Sequence, residues 1–332
     1  MCTQKELHEH GPYPPVTAAL PTFADVQAAA DRIKPYVHRT PVLTSQALNM
    51  MLGAELFFKC ENLQKIGAFK ARGACNAVLM LDEETARRGV VTHSSGNHGQ
   101  ALAYAARLRG VPCTIVMPSN APAVKQDAVA EYGATVVLCE PTLRARLDTM
   151  QDVIDRTGAH PIPPYDDARV IAGQGTAALE LIEDHPDLDV VMAPVGGGGL
   201  LSGTAIAVHG MDPSITIIGA EPTIADDAKR SLETGIRQPP PTTLTIADGL
   251  RTSLGEITFA ILRQMNVRIV TASEASIIEG MFRMMERLKI MVEPSASVTL
   301  GAIIEDPQIV AGKKVGLIVC GGNLDVRNLL RI

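Results

Sequence analysis

Gly196, Gly197, Gly198 and Gly199 stand in a row between the apolar run Asp189–Val195 and the helix-like stretch Leu200–Val208. Residues without side chains, placed where a strand opens into a helix, let several backbone N–H groups converge on one anion, and the helix dipole adds to the attraction. Phosphate is the natural occupant; taken alone, the same run also suits a tightly packed turn. Far upstream, Lys70 lies among small residues in Gly67-Ala-Phe-Lys-Ala-Arg-Gly73, a stretch able to start a helix. A ligand can reach an amine placed there, and amines condense with aldehydes, although an ordinary solvated lysine reads the same way. Thr92-His-Ser-Ser-Gly-Asn-His-Gly99 sets small polar groups before a helix, a turn suited to a carboxylate or to a plain cap with a buried histidine. Cys320-Gly-Gly-Asn323 again ends an apolar run. Each element is weak alone, whereas all of them at strand ends in one chain point to a site.

Elements of matching order must carry these residues. Val90–His93, Cys113–Met117 and Thr135–Leu138 read as strands, separated by helices Gln100–Leu108 and Ala123–Tyr132 that stop at Gly110 and Gly133. That alternation predicts a βαβαβ unit with a parallel sheet. A second series holds helix Gly175–Glu183, the strand and helix around the glycines, and strands Thr216–Ala220, Arg268–Val270 and Lys314–Val319. Between the last two, Ser273 is placed to cap a helix in which Ile277, Met281, Met284 and Leu288 recur at helical spacing. The fold class is therefore α/β, with two doubly wound open-sheet domains. In such sheets ligands bind at the carboxyl ends of strands, where the four elements fall.

Bulk properties narrow the function classes. A chain of 332 residues, 46% of them hydrophobic, can bury two cores. The net charge of -6, with basic residues dispersed, argues against nucleic acid and anionic membranes and for small-molecule chemistry. Cys2, Cys60, Cys75, Cys113, Cys139 and Cys320 form no CxxC pair and follow no apolar leader, which suggests core thiols in a reducing cytoplasm. Val190–Val208 carries no charge over nineteen residues, yet Pro194 and the glycines would break a membrane helix. Residues 1 to about 20, with His8, His10, Gly11 and several prolines, read as a loosely ordered extension. No G-x-x-x-x-G-K-[ST] is present and no GxGxxG opens the first βα turn, so a phosphate without a nucleotide fits better. Pyridoxal phosphate joins an aldehyde to a phosphate monoester, and Lys70 with the glycine cup would hold its two ends.

The residues also carry a resemblance. Phe23-Ala-Asp-Val26, Thr40-Pro-Val-Leu-Thr-Ser45, Leu56-Phe-Phe-Lys-Cys60, Thr92-His-Ser-Ser-Gly-Asn-His-Gly-Gln100 and Val170-Ile-Ala-Gly-Gln-Gly-Thr176 are similar to the fold-type II pyridoxal-phosphate enzymes of the threonine dehydratase and serine racemase family, most of all to the serine racemases of eukaryotes. The resemblance covers nearly everything after residue 22. It implies a tryptophan-synthase-β-like pair of domains, residues 1–80 with 168–332 forming the large cofactor-holding one and 81–167 the small one, with the active site in the cleft between them. Lys70 would carry the cofactor as an imine and then serve as base on one face of the substrate, with Ser95 acting from the other. Ser94, Asn97 and His98 would lie along the substrate carboxylate and cofactor, Asn97 touching the ring hydroxyl. Arg146 and Ser253 match substrate-contacting positions.

Cys320 matches the position facing the pyridine nitrogen. A thiol there stabilises a pyridinium less than a carboxylate would, so loss of a β-hydroxyl competes well with a long-lived carbanion. The implied reaction is dehydration and deamination of L-serine and L-threonine to a 2-oxo acid and ammonia, with racemisation of serine in parallel. A 3-hydroxyaspartate dehydratase shares these motifs, and a non-catalytic amino-acid sensor is the reading from another class. Glu221-Pro-Thr-Ile-Ala-Asp-Asp227 alone reads as a solvated acidic helix start; the resemblance makes Glu221, Asp227 and the backbone oxygen of Ala225 ligands of Mg²⁺, Mn²⁺ or Ca²⁺. Ser45, Lys65, Gln100, Tyr132, Lys289 and Asn323 match an ATP effector site between subunits, from which Gln46 and Ile66 depart. Tyr165 replaces an asparagine of the animal racemases and resembles an aromatic residue of the dehydratases. A homodimer is implied, and no feedback by isoleucine is expected, because the chain stops shortly after Asn323.

Overall fold

The computed structural model of the chain describes residues 19–329 except Thr243, so Cys2 and the extension with His8 and His10 lie outside the described residues. Thr22 accepts from the Asp25 N–H while Asp25 bonds back to the Thr22 N–H, a capping box that starts α1 (Phe23–Ile33). Along the chain follow β1 (Val42–Thr44), α2 (Gln46–Leu52), β2 (Glu55–Lys59), α3 (Lys70–Leu79), α4 (Glu83–Arg88), β3 (Val90–His93), α5 (Asn97–Arg109), β4 (Cys113–Pro118), α6 (Ala123–Ala130), β5 (Thr135–Cys139), α7 (Leu143–Thr157), β6 (His160–Pro161) and α8 (Ala168–Asp184). The remainder is β7 (Val190–Pro194), α9 (Gly199–Met211), β8 (Thr216–Pro222), α10 (Asp227–Thr234), α11 (Glu256–Gln264), β9 (Arg268–Ala272), α12 (Glu274–Leu288), α13 (Pro294–Glu305), β10 (Lys314–Ile318) and α14 (Val326–Leu329). Among the described residues no helix is long and apolar enough to cross a membrane.

Two sheets organise these elements. One has six strands in the order β1-β2-β10-β7-β8-β9, all parallel except β1, which runs antiparallel to β2. The other has the parallel order β5-β4-β3-β6. Every strand expected from the sequence is present. The cap at Ser273 forms, its hydroxyl accepting from the Ser276 N–H, and Ile277, Met281, Met284 and Leu288 are buried along α12. β1, β2 and β6 are additions. β6 is too short to show a period, and β2 pairs with β10 from the far end of the chain, a partner that no local pattern discloses.

The helices α3 and α8 stand between the sheets. Ala74, Cys75, Ala77 and Val78 of α3 pack with Val90, Ile115 and Met117 of the four-stranded sheet. Ile171, Ala172 and Ala178 of α8 pack with β7 and β10 of the six-stranded one. The two helices meet backbone to backbone, because a Cβ on Gly173 would come within 2.6 Å of Gly73 Cα. Glycine at both positions sets how closely α3, and Lys70 at its start, lies on α8.

Candidate active site

The first turn of α3 has no side-chain cap. It is anchored otherwise. Ala68 bridges Gly321, and the Phe69 N–H donates to Cys320 O at 3.0 Å, which seats Lys70 beside Cys320. Arg72, fully buried, directs its fork to Glu61 at 2.7 and 2.8 Å and to Glu180 at 2.8 Å, and also reaches Thr176 and the His38 carbonyl. Lys59 completes the cluster on Glu180 at 2.6 Å. Each buried charge here is paired and hydrogen-bonded, the condition under which such a group is tolerated. Lys70 itself is partly buried, with Nζ donating to Pro164 O at 2.6 Å. Burial pushes its pKa down to about 8, with Cys320 and Glu293 acting in the other direction. An amine so placed becomes a nucleophile and base near neutral pH.

The glycine cup forms where expected, at the end of β7 and the start of α9. Gly198, at φ +89, is in a backbone conformation that side chains disfavour, and it precedes the first turn of α9, whose N–H groups have no intrahelical acceptors. The walls leave no space for side chains. A Cβ on Gly196 would come within 2.9 Å of Gly249 O, one on Gly198 within 2.8 Å of Leu254 and Thr258, and one on Gly197 would enter the ring of Tyr165. A shelf of bare backbone at a helix start is the arrangement that holds a phosphate. Residues 164–167 lace the site together. Pro164 O takes the Lys70 bond, Tyr165 covers the cup, Asp166 accepts from the Glu256, Ile257 and Thr258 N–H groups at the start of α11, and Asp167 caps α8.

Ser94 and Ser95 lie in the loop between β3 and α5, partly buried, and α5 begins at Asn97 behind Gly96 without a side-chain cap. That leaves a helix start open to a carboxylate. His98 is turned inward. It is 3% exposed, its Nε2 faces Ile162 O at 3.0 Å, and its Nδ1 has no partner among the described residues. A carbonyl only accepts, so Nε2 carries the hydrogen, and burial together with Lys70 pushes the imidazole pKa down to about 3. The ring of His98 therefore supports the loop from within, while its backbone N–H lies in the uncapped first turn of α5. Arg146 projects from the first turn of α7, where burial and the Arg146 charge together push the pKa of His93, at the end of β3, down to about 4. Ser253 is partly buried in the segment before α11, tied to the cup by the Gly255 N–H on Gly197 O at 3.4 Å.

At the other end, Cys320 is 3% exposed and holds its thiol proton, because burial, and next Glu293, push its pKa well above the ordinary value. Asn97 is locked between Glu293 and Asn323. Glu293 was not singled out from sequence. Its signal was present: it is the one charge between Lys289 and Glu305 in an otherwise apolar and small-residue run, and a buried lone carboxyl needs partners.

Glu221, at the end of β8, and Asp227, which opens α10, are both 2% exposed, and Ala225 between them is fully buried. Glu221 accepts from the Ala228 and Lys229 N–H groups at 3.1 and 2.8 Å, while Asp227 Oδ2 has no partner among the described residues. Burial pushes Glu221 up to about 8 and Asp227 up to about 7, with Asp227 adding to the shift on Glu221 and Asp226 to that on Asp227. Among the described residues no cluster of three or more His, Cys, Asp or Glu side chains could hold a metal, so carbonyl and water oxygens would have to complete a hard cation's shell. The orphaned Asp227 oxygen fits that donor set. Of the remaining candidates, Ser45 is spent capping α2 and Asn323 bonds to Ile66 O and Asn97. Lys65, Gln100 and Tyr132 are partly buried and Lys289 is exposed at the left-handed end of α12.

A model of the pyridoxal-phosphate dependent enzyme family matches residues 33–321. The β-hydroxyaspartate dehydratase of Paracoccus denitrificans (strain Pd 1222) is 48% identical over 310 residues, 93% of this chain and 98% of that protein. The serine racemase of Arabidopsis thaliana is 50% identical over 309 residues, 92% of this chain and 93% of that one. The crystal structure of serine racemase from Dictyostelium discoideum has a TM-score of 0.89 at 49% identity, covering 93% of this chain and 100% of the other. With the family model matching most of the chain and similarity running nearly the length of both proteins in each comparison, the chain belongs to the pyridoxal-phosphate dependent enzymes.

Proposed function

We propose that this enzyme eliminates the β-hydroxyl of L-serine and L-threonine, yielding a 2-oxo acid and ammonia, and interconverts L- and D-serine in parallel. One observation carries the reading: Lys70, an amine with its pKa pushed down to about 8, shares a wall with a buried neutral thiol, Cys320, rather than with a carboxylate. When bound, pyridoxal phosphate supplies an aldehyde that captures amines and a ring that withdraws electrons from Cα. Gly196 to Gly199 hold its phosphate through backbone N–H groups. Asn97 and Cys320 orient the ring, the open start of α5 with Ser94 takes the substrate carboxylate, and Lys70 removes the Cα proton. Ser95 returns or removes a proton from the opposite face, which racemisation requires. Purified enzyme given L-serine is expected to form both pyruvate and D-serine, followed together by chiral chromatography; formation of neither overturns the reading.

A second reading has its own support. Arg146 has no carboxylate partner among the described residues, its Nε reaching only Thr142 O at 3.4 Å, and could hold a side-chain carboxylate as in a 3-hydroxyaspartate dehydratase. On that reading Arg146→Ala lowers kcat/KM for 3-hydroxyaspartate by about 10–100-fold, the worth of one charged hydrogen bond, and spares serine. Equal losses on both substrates speak against it.

Glu221, Asp227 and the Ala225 carbonyl are proposed as ligands of Mg²⁺, Mn²⁺ or Ca²⁺, supported by the unpartnered Asp227 oxygen. ATP as effector, using Lys65, Gln100, Tyr132 and Lys289 beside Ser45 and Asn323, a homodimeric state, a cytoplasmic location and the division into 1–80 with 168–332 and 81–167 complete the proposal. The division is supported by β3 to β6 forming a sheet of their own.

A further inference from the structure

Glu293 has no task in the scheme above, yet its surroundings are built around it. It is 5% exposed, immediately precedes α13, and its N–H donates to Gly321 O at 3.1 Å. Asn97 Nδ2 lies 3.0 and 3.1 Å from its two oxygens, and Cys320 Sγ lies 4.0 Å from Oε1. A Cβ on Gly321 would come within 2.6 Å of the same Oε1, so glycine there makes room for the carboxyl group.

The direction of each bond follows from groups that can act in only one way. Ile66 O can only accept, so the Asn323 amide turns its nitrogen inward, at 2.7 Å. That nitrogen also lies 2.9 Å from Asn97, which must therefore present its oxygen to Asn323 and its nitrogen to Glu293. One N–H of Asn97 is left over as a donor. Cys320 has a single hydrogen. Ionised Glu293 attracts it, because a charged acceptor outcompetes a neutral one, and the sulfur then shows a lone pair to its other side. Protonated Glu293 releases it.

We propose that Glu293 is a positioning residue that fixes the amide of Asn97 and, through its own proton, sets the direction of the Cys320 S–H bond, so that position 320 offers the cofactor ring either a donor or an acceptor. This rests on the reading that Asn97 and Cys320 face the ring. Charged and titratable groups reach Glu293 from several elements: Asp248 from the turn before α11, Lys125 from α6, Lys70 from α3 and Cys320 after β10. Burial raises its pKa first and Asp248 further, against Asn97, the Asn323 N–H and Lys125, leaving it at about 7. The two S–H directions therefore exchange near neutral pH.

The switch can be read without the cofactor. In cofactor-free protein, the Cys320 S–H stretching band, isolated as the infrared difference between wild type and Cys320→Ser, is expected to shift as the pH passes through about 7. Glu293→Gln, near in shape but unable to titrate, should hold the band still. A wild-type band that does not move overturns the proposal without recourse to any variant, and so does one that moves equally in Glu293→Gln. In holoenzyme, the absorbance of the bound cofactor should step at the same pH, and the step should vanish in Glu293→Gln and Cys320→Ala. An infrared shift without an absorbance step keeps the proton pair and overturns the placement of Cys320 at the ring.

Discussion

At the scale of single residues, the site depends on moving proton affinities into the neutral range. Lys70 ordinarily carries its proton at that pH; burial lowers its affinity so that the neutral amine gains weight as the pH rises through about 8. Capture of pyridoxal phosphate by the cofactor-free enzyme should accelerate with pH up to about that value and then level off, as stopped-flow absorbance will report. Lys70→Ala should abolish the visible absorbance of the covalent linkage and lower kcat by about 10²–10⁴-fold or more, since in the proposed scheme one group serves as anchor and base. Full activity in that variant would remove Lys70 from the centre of the site. Lys70 could be picked out from sequence because small neighbours leave an amine reachable. Its lowered proton affinity could not, since that arises from burial among segments remote in the chain, which the thiol of Cys320 and the carboxyl of Glu293 only partly offset.

Elements place these residues through contacts between backbones. Gly73→Ala adds a methyl group where α3 meets Gln174 and the Val170 carbonyl on α8, so overpacking should destabilise the fold by about 1–3 kcal/mol and weaken cofactor binding as Lys70 shifts. Denaturant unfolding and a cofactor titration check both parts. Arg72→Met should cost more, about 3–5 kcal/mol, because Glu61 loses its cationic partner while still buried and Glu180 retains only Lys59. A loss under 1 kcal/mol in that variant would mean that water enters the cluster. Period and the Ser273 cap disclosed α12, whose apolar residues bury one face, while Gly110 and Gly133 marked where α5 and α6 stop. α3 was visible only as a stretch that could start a helix. Its first turn lacks a side-chain cap and is held by Cys320 O and by Arg72 reaching Glu61 and Glu180.

Over the whole molecule, two sheets bring residues from three parts of the chain to one place, and the same packing buries Glu221 and Asp227 side by side. Both carboxyls hold a proton more tightly folded than unfolded, so without a cation their contribution to stability is present at low pH. It is lost as the pH rises from the ordinary carboxyl range toward about 7 and about 8. A bound cation reverses that trend, since it favours the ionised pair. Chelation should therefore lower Tm strongly at about pH 8 and little at about pH 5, read by calorimetry. A chelator effect independent of pH would place the cation elsewhere.

Sequence alone determined the α/β class and most strands, because apolar period, caps and bare glycines act over a few residues, and it singled out Lys70, the four glycines and Cys320 as candidates. Only the tertiary structure decided that β1 and β2 extend the larger sheet, that the His98 ring turns inward, and that Glu293 lies between Asn97 and Cys320. Those outcomes follow from burial and from hydrogen-bond partners supplied by distant segments. Burial and pairing at long range leave no local pattern in the chain.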